Sequence, residues 1–195
     1  MRPTYKFLDI VDHRPISDEV YDYLVKHTDV LTSKNYYVDL PIRHLLSYCP
    51  LLVEFLQNQQ LVPRMMAAIV CPANKNLKIH RDNDGVNPFV RILWPIINCQ
   101  GSKTKIWQML DNSGELVSDP NGIIHTEYSE NQKRELIDEF ELVSPVLFDA
   151  SCVHSVHPNP ELSGHRISLT IGFDKDLPIS KSIKAWFGFQ RRTKG

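Results

Sequence analysis

His80-Arg81-Asp82, His154, and the pair Arg166 and Ser168 are the residues of this 195-residue chain whose types and spacing could do chemistry. A histidine and a carboxylate two positions apart share one side of a strand, so His80 and Asp82 would project together while Arg81 turns away. With one distant histidine added, such a pair can occupy three positions on one face of an octahedral iron and leave the rest open. His154 is the candidate third ligand. Arg166 and Ser168, again two apart, could grip a carboxylate through two charge-assisted hydrogen bonds and a hydroxyl donor. Metal binding needs neutral imidazole and ionised carboxylate, so such a centre should load poorly in acid.

Other residues compete for the same roles. His27-Thr28-Asp29 repeats the pattern, but it falls at the end of an expected helix, where positions i and i+2 do not share a face, and reads as a polar helix terminus. His125-Thr126-Glu127 is the more serious rival because glutamate can replace aspartate. His157, three positions after His154, should face the other way in a strand and is the alternative third ligand; His165 should face outward. Trp94, Trp107 and Lys105 read as ordinary strand residues rather than pocket groups.

These residues need elements to position them. Ser17-Asp18-Glu19 provides a hydroxyl cap and first-turn acids, and the apolar spacing of Val20, Tyr21, Leu24 and Val25 predicts a helix over about 18–30. Ile42, Leu45, Leu46, Leu52, Phe55 and Leu56 predict a second helical segment that Pro50 kinks or splits in two. From residue 64 the texture changes to short apolar, β-branched runs: MMAAIVC, KIH, FVRILWPII, KIWQML, FELVSPVLF, SVH and HRISLTIGF. Turn chemistry separates them at Asn83-Asp84-Gly85, Asn112-Ser113-Gly114 and Asp119-Pro120-Asn121-Gly122. The charged stretch Glu127 to Glu139 reads as an exposed insertion that could carry a short helix. The expected fold is mainly β with N-terminal helices, a jelly roll or cupin-like double-stranded β-helix. It should form one domain, with helical support over 1–62, the β core over 63–175 and a tail over 176–195.

Composition sets the frame. With 42% hydrophobic and 23% charged residues, the chain can bury one sizeable core. Lys and Arg number 22 against 23 Asp and Glu, so no net field indicates nucleic acid or an acidic membrane as partner. The basic tail cluster Arg191-Arg192-Thr193-Lys194 reads as solvated. Cys49, Cys71, Cys99 and Cys152 form no Cys-X-X-Cys pair, which argues against structural zinc and fits a reducing compartment. The first residues carry no signal pattern and no apolar run suffices to span a bilayer, so the expected location is the cytoplasm.

The segment Phe148-Asp149-X-Ser151-X-X-His154, followed by Val156, Asn159 and Arg166-Ile167-Ser168, resembles the distal half of the Fe(II)/2-oxoglutarate dioxygenase core. The His-X-Val-X-X-Asn and Arg-X-Ser spacings are similar to plant-type members, and Phe-Asp-X-Ser-X-X-His to the aspartyl/asparaginyl β-hydroxylase branch. The resemblance covers about residues 65–174. It implies that His80, Asp82 and His154 hold Fe(II), that Arg166 and Ser168 take the distal carboxylate of 2-oxoglutarate, and that Asn87 and Arg91 contact substrate or co-substrate. The implied reaction uses O2 and 2-oxoglutarate as co-substrates, releases succinate, and by default hydroxylates a further substrate. Residues 101–140 carry no motif selecting a protein side chain, a metabolite or a nucleobase. Two other readings stay open: a metal-dependent cupin enzyme that does not use 2-oxoglutarate, and a non-catalytic jelly-roll module with structural histidines whose tail, Trp186 to Lys194, contacts a partner.

Overall fold

The computed structural model describes residues 4–33, 36–72, 74–82, 90–111, 113–118 and 124–173. Its strands are β1 (Tyr5–Phe7), β2 (Tyr37–Asp39), β3 (Pro63–Pro72), β4 (Ile79–Asp82), β5 (Val90–Ile97), β6 (Lys103–Met109), β7 (Glu115–Ser118), β8 (Ile124–Tyr128), β9 (Arg134–Glu141), β10 (Val146–Asp149), β11 (Val153–His157) and β12 (His165–Phe173). Its helices are α1 (Arg14–His27), α2 (Ile42–Tyr48) and α3 (Pro50–Asn58). The strands form two six-stranded antiparallel sheets, ordered β1-β10-β5-β12-β3-β2 and β7-β8-β4-β11-β6-β9. Successive core strands alternate between the runs β10-β5-β12-β3 and β4-β11-β6-β9 except at β6 and β9, which are neighbours in the second sheet, and this is the double-stranded β-helix expected of the sequence. No described helix is long and apolar enough to cross a membrane.

Alternation along the strands makes two interiors. On one face of the first sheet, Met66, Ala68, Val70, Ile92, Trp94, Ile167, Leu169 and Ile171 pack under the helices with Val20, Leu24, Leu45 and Leu52. Each fully buried aliphatic side chain there contributes about 1.5–3 kcal/mol, so this layer anchors β12. Between the sheets, a second cluster of Cys99, Ile106, Phe140, Leu142, Val146, Phe148 and Ala150 fills one end of the roll. The other end stays open as a cavity.

The helices depart from expectation in informative ways. α1 begins at Arg14, with Pro15 in its first turn, where a missing N–H costs nothing and a fixed φ helps. Ser17 therefore caps nothing: it is buried, donates to the Pro95 carbonyl at 2.7 Å and accepts from Trp94 Nε1 at 3.2 Å. The helix stops at His27 because Thr28 is extended. Pro50 splits the second segment rather than kinking it, starting α3 directly after α2. The region 1–62 is also not wholly helical, since β1 and β2 close the two edges of the first sheet.

The largest correction concerns Glu127 to Glu139. This stretch holds no helix; it comprises the end of β8, a turn and most of β9, which is a core strand paired with β6. Charges at the exposed positions of an edge strand masked its alternation, a common device against edge-to-edge association. The added element is the β7–β8 hairpin, which extends the second sheet beyond β4.

Candidate metal centre

β4 and β11 bring His80 and His154 directly opposite each other in the second sheet, ring centroids 4.3 Å apart. His80, Asp82 and His154 each present one donor atom, and these atoms all lie within 4.8 Å of one another. The structure thus gathers the three residues singled out by spacing. His157 turns to the opposite face of β11, where its Nε2 meets Ser155 Oγ at 2.9 Å.

Backbone carbonyls fix both imidazoles. His80 Nδ1 lies 2.8 Å from the Lys78 carbonyl, and His154 Nδ1 lies 2.9 Å from that of Cys152. A carbonyl only accepts, so each Nδ1 carries the proton and each Nε2 keeps a lone pair for a metal. The sequence builds this locally. Asp149 Oδ1 accepts from Ser151 N–H at 3.0 Å and Ser151 Oγ at 2.6 Å, forming the turn that launches β11. Asp82 N–H donates to the Ala150 carbonyl at 3.2 Å, and the Phe148 ring packs edge-on at 4.9 Å from the His154 ring. The Phe-Asp-X-Ser-X-X-His pattern is therefore the scaffold of His154.

Electrostatics agree with a metal-binding state. His154 is 7% exposed, and burial pushes its pKa down to about 3, keeping the ring neutral. For Asp82, burial opposes ionisation, yet the Arg91 guanidinium and neighbouring imidazoles hold its pKa below the usual carboxylate value. Arg91 Nη1 sits 2.9 Å from Asp82 Oδ2, while Oδ1 is the oxygen nearer His80, at 3.7 Å from its Nε2. The carboxylate is thus shared between a guanidinium on one oxygen and the ligand cluster on the other. Arg91 is consequently a buried partner of Asp82 and also lines the cavity. Asn87 lies outside the described residues, as does the Trp186 to Lys194 tail.

Across the cavity of about 520 Å³ stands the second polar group. Arg166, Ser168 and Thr170 share one face of β12 and line this space opposite Thr104 of β6. Arg166 is 3% exposed; its Nη1 donates to Ser168 Oγ at 3.2 Å and approaches Cys71 Sγ at 3.9 Å. No carboxylate pairs with it among the described residues, and its Nε, Thr104 Oγ1 and Thr170 Oγ1 have no hydrogen-bond partner. An uncompensated buried charge costs several kcal/mol, and an anion in this space could supply the missing compensation. Thr104 and Thr170 are polar positions that the sequence reading missed. The alternation Arg166-Ser168-Thr170 could have revealed Thr170; nothing local marks Thr104.

The rivals are also placed. His27 ends α1 in an aromatic cluster, 4.2 Å from the Tyr48 ring and 5.2 Å from that of His44, and it joins no set of three potential metal ligands among the described residues. His125 and Glu127 lie on β8, paired across from Asp82 and His80 respectively, and both line the cavity. Their own bond, 3.2 Å between His125 Nε2 and Glu127 Oε1, and an ion pair from Lys78 to Glu127 occupy them locally.

No protein-family profile and no curated protein matches the chain. Solved structures resemble it in fold. SnoK, a non-heme alpha ketoglutarate dependent carbocyclase from nogalamycin biosynthesis, is 11% identical, with 87% of this chain and 79% of that chain covered at a TM-score of 0.48. The epimerase SnoN, solved with Fe3+, alpha ketoglutarate and nogalamycin RO, is 14% identical over 98% of this chain and 87% of its own, TM-score 0.46. The L-ribose isomerase of Acinetobacter sp. DL28 is 10% identical over 64% and 55% of the two chains, TM-score 0.31. At such identities and scores these likenesses transfer no chemistry, which rests on the side chains themselves.

Proposed function

We propose that this protein is a non-haem Fe(II) enzyme that couples oxidative decarboxylation of 2-oxoglutarate to oxidation of a second substrate, with hydroxylation as the default outcome. The observation that carries this reading is the buried Arg166, without a carboxylate partner among the described residues, lining the same cavity as the His80-Asp82-His154 set. His80 Nε2, Asp82 Oδ1 and His154 Nε2 would hold the metal. Arg166, with its fork partly steadied by Ser168 Oγ, would take the distal carboxylate of 2-oxoglutarate, and the Ser168 proton stays available for the same anion. When bound, iron with 2-oxoglutarate and O2 supplies the oxidising power, the co-substrate leaving as succinate and CO2. The chain's own part is placement: fixed imidazole tautomers, a carboxylate kept ionised by Arg91, and a β-sandwich wall of Phe148, Leu93 and Val156 that limits water. A cupin enzyme working without a 2-oxo acid would have no use for Arg166.

The test is anaerobic titration of the Fe(II)-loaded protein with 2-oxoglutarate, following the visible metal-to-ligand charge-transfer band of a chelated 2-oxo acid. A saturable band is expected, and Arg166→Ala should keep the metal while weakening 2-oxoglutarate by about 30-fold or more, as for loss of one partner of a buried charge pair. Iron bound with no band at any 2-oxoglutarate concentration would sink the proposal.

A further inference from the structure

The charge balance of the cavity reaches beyond the co-substrate. Its described lining carries four cationic side chains, Lys75, Lys78, Arg91 and Arg166, against two carboxylates, Asp82 and Glu127. That leaves a surplus of two positive charges. A divalent metal and a doubly charged 2-oxoglutarate cancel each other, so the surplus survives when both are bound. A cleft lined by one sign of charge focuses its field on whatever enters.

One of the two surplus charges stands apart from the metal and co-substrate; the other stays with them, because a doubly charged 2-oxoglutarate cannot offset both a divalent metal and Arg166. Arg166 is assigned to 2-oxoglutarate, Arg91 is paired with Asp82, and Lys78 with Glu127. Lys75 has no carboxylate partner among the described residues; its ammonium stands 5.1 Å from the centroid of the Tyr36 ring. The segment bearing it is held in place: Lys75 N–H donates to the Pro72 carbonyl at 3.1 Å, and Leu77 N–H to that of Val156 on β11 at 2.9 Å. Lys75 stands five positions before His80, so their Cα atoms are at most about 18 Å apart. The cavity lining that includes this cation also presents the apolar and aromatic surfaces of Tyr36, Tyr37, Leu77 and Val117, interrupted by the polar Asn76 and Ser118. A single cation beside an apolar wall is the pattern that orients a small amphiphilic ligand.

The geometry points to a small organic anion as the primary substrate, with its acid group on Lys75 and its apolar body against Tyr36, Tyr37, Leu77 and Val117. This assignment rests on the proposed function, because the charge count includes metal and 2-oxoglutarate. Lys75 is exposed at the cavity mouth, so it is a specificity-determining contact and its removal leaves the fold and the metal set intact.

The experiment uses anaerobic Fe(II)-loaded protein saturated with 2-oxoglutarate. Matched pairs are titrated by calorimetry: phenylacetate against phenylacetamide, hexanoate against hexanamide, phenyl phosphate against phenol. The anion of a pair should bind about three- to tenfold tighter than its neutral partner, with the difference shrinking as salt is raised. Lys75→Gln should remove the preference while the 2-oxoglutarate affinity, read from the charge-transfer band, stays unchanged. Equal binding within every pair, no binding by any of them, or a preference that persists in Lys75→Gln overturns the inference. A missing charge-transfer band in the wild type would instead mean that the 2-oxoglutarate reading has failed, so the two failures are distinguishable.

Discussion

β4 and β8 carry the same His-X-acid pattern side by side in antiparallel register, so that His80 faces Glu127 and Asp82 faces His125. Both pairs line the cavity, and each acid is held ionised by a cation: Asp82 by the buried Arg91, Glu127 by the exposed Lys78. What separates them is the next strand. On its far side β4 meets β11, which delivers His154; on its far side β8 meets β7, which opposes His125 with Val117 and Glu127 with Glu115. A third donor therefore exists for one pair alone among the described residues. A two-residue motif acquires chemical meaning from the strand beside it. The cations differ too, since a buried guanidinium acts in a low dielectric while an exposed ammonium is screened and contributes about 1 kcal/mol at most.

The comparison can be broken outright by metal titration. His80→Ala, Asp82→Ala or His154→Ala should each abolish Fe(II) binding, whereas His125→Ala should retain it within about threefold. A loss in His125→Ala as large as in Asp82→Ala would place the centre on β8 instead, and full metal retention in His154→Ala would remove that residue from the set.

A second contrast is acid sensitivity. Burial lowers the pKa of His154 from 6.5 to about 3. Within that window the unfolded chain binds a proton that the native chain refuses, so stability rises with pH and is lost on acidification. Urea unfolding of chelator-treated protein should show a loss of about 2–3 kcal/mol at this site between pH 7 and pH 4.5, two units below the unfolded value. In His154→Gln the slope should flatten by that amount. An unchanged slope would show that His154 is solvated.

Arg91→Met offers the finest test. Without the guanidinium, the same burial acts on Asp82 with less opposition, raising its pKa and loosening its orientation. Removing such an outer partner of a ligand costs roughly 10-fold in metal affinity, with a larger deficit at low pH. Affinity that is unchanged, or improved across the whole pH range, would mean that Arg91 competes with the metal for Asp82 rather than supporting it.

Local pattern sufficed where the physics is local. The apolar, β-branched runs MMAAIVC and HRISLTIGF marked β3 and β12, Pro50 marked the break between α2 and α3, and the shared face of His80 and Asp82 followed from a strand's geometry alone. The pattern misled where one local signal hid another. Ser17 is a good cap by type, but Pro15 starts the helix earlier and β5 claims its hydroxyl. The charges of β9 concealed an edge strand.

By itself, then, the sequence determined which side chains could share a face, and that two histidines and an aspartate were available to meet; the turns it expects at 83–85 and 119–122 lie outside the described residues. Only the tertiary structure decided that β11 lies beside β4, that β8 flanks it on the other side, that Arg91 claims one oxygen of Asp82, and that Arg166 is buried without an acid among the described residues. Those decisions belong to strand order and sheet-on-sheet packing, which join residues far apart in the chain and leave no trace in the spacing of any one segment.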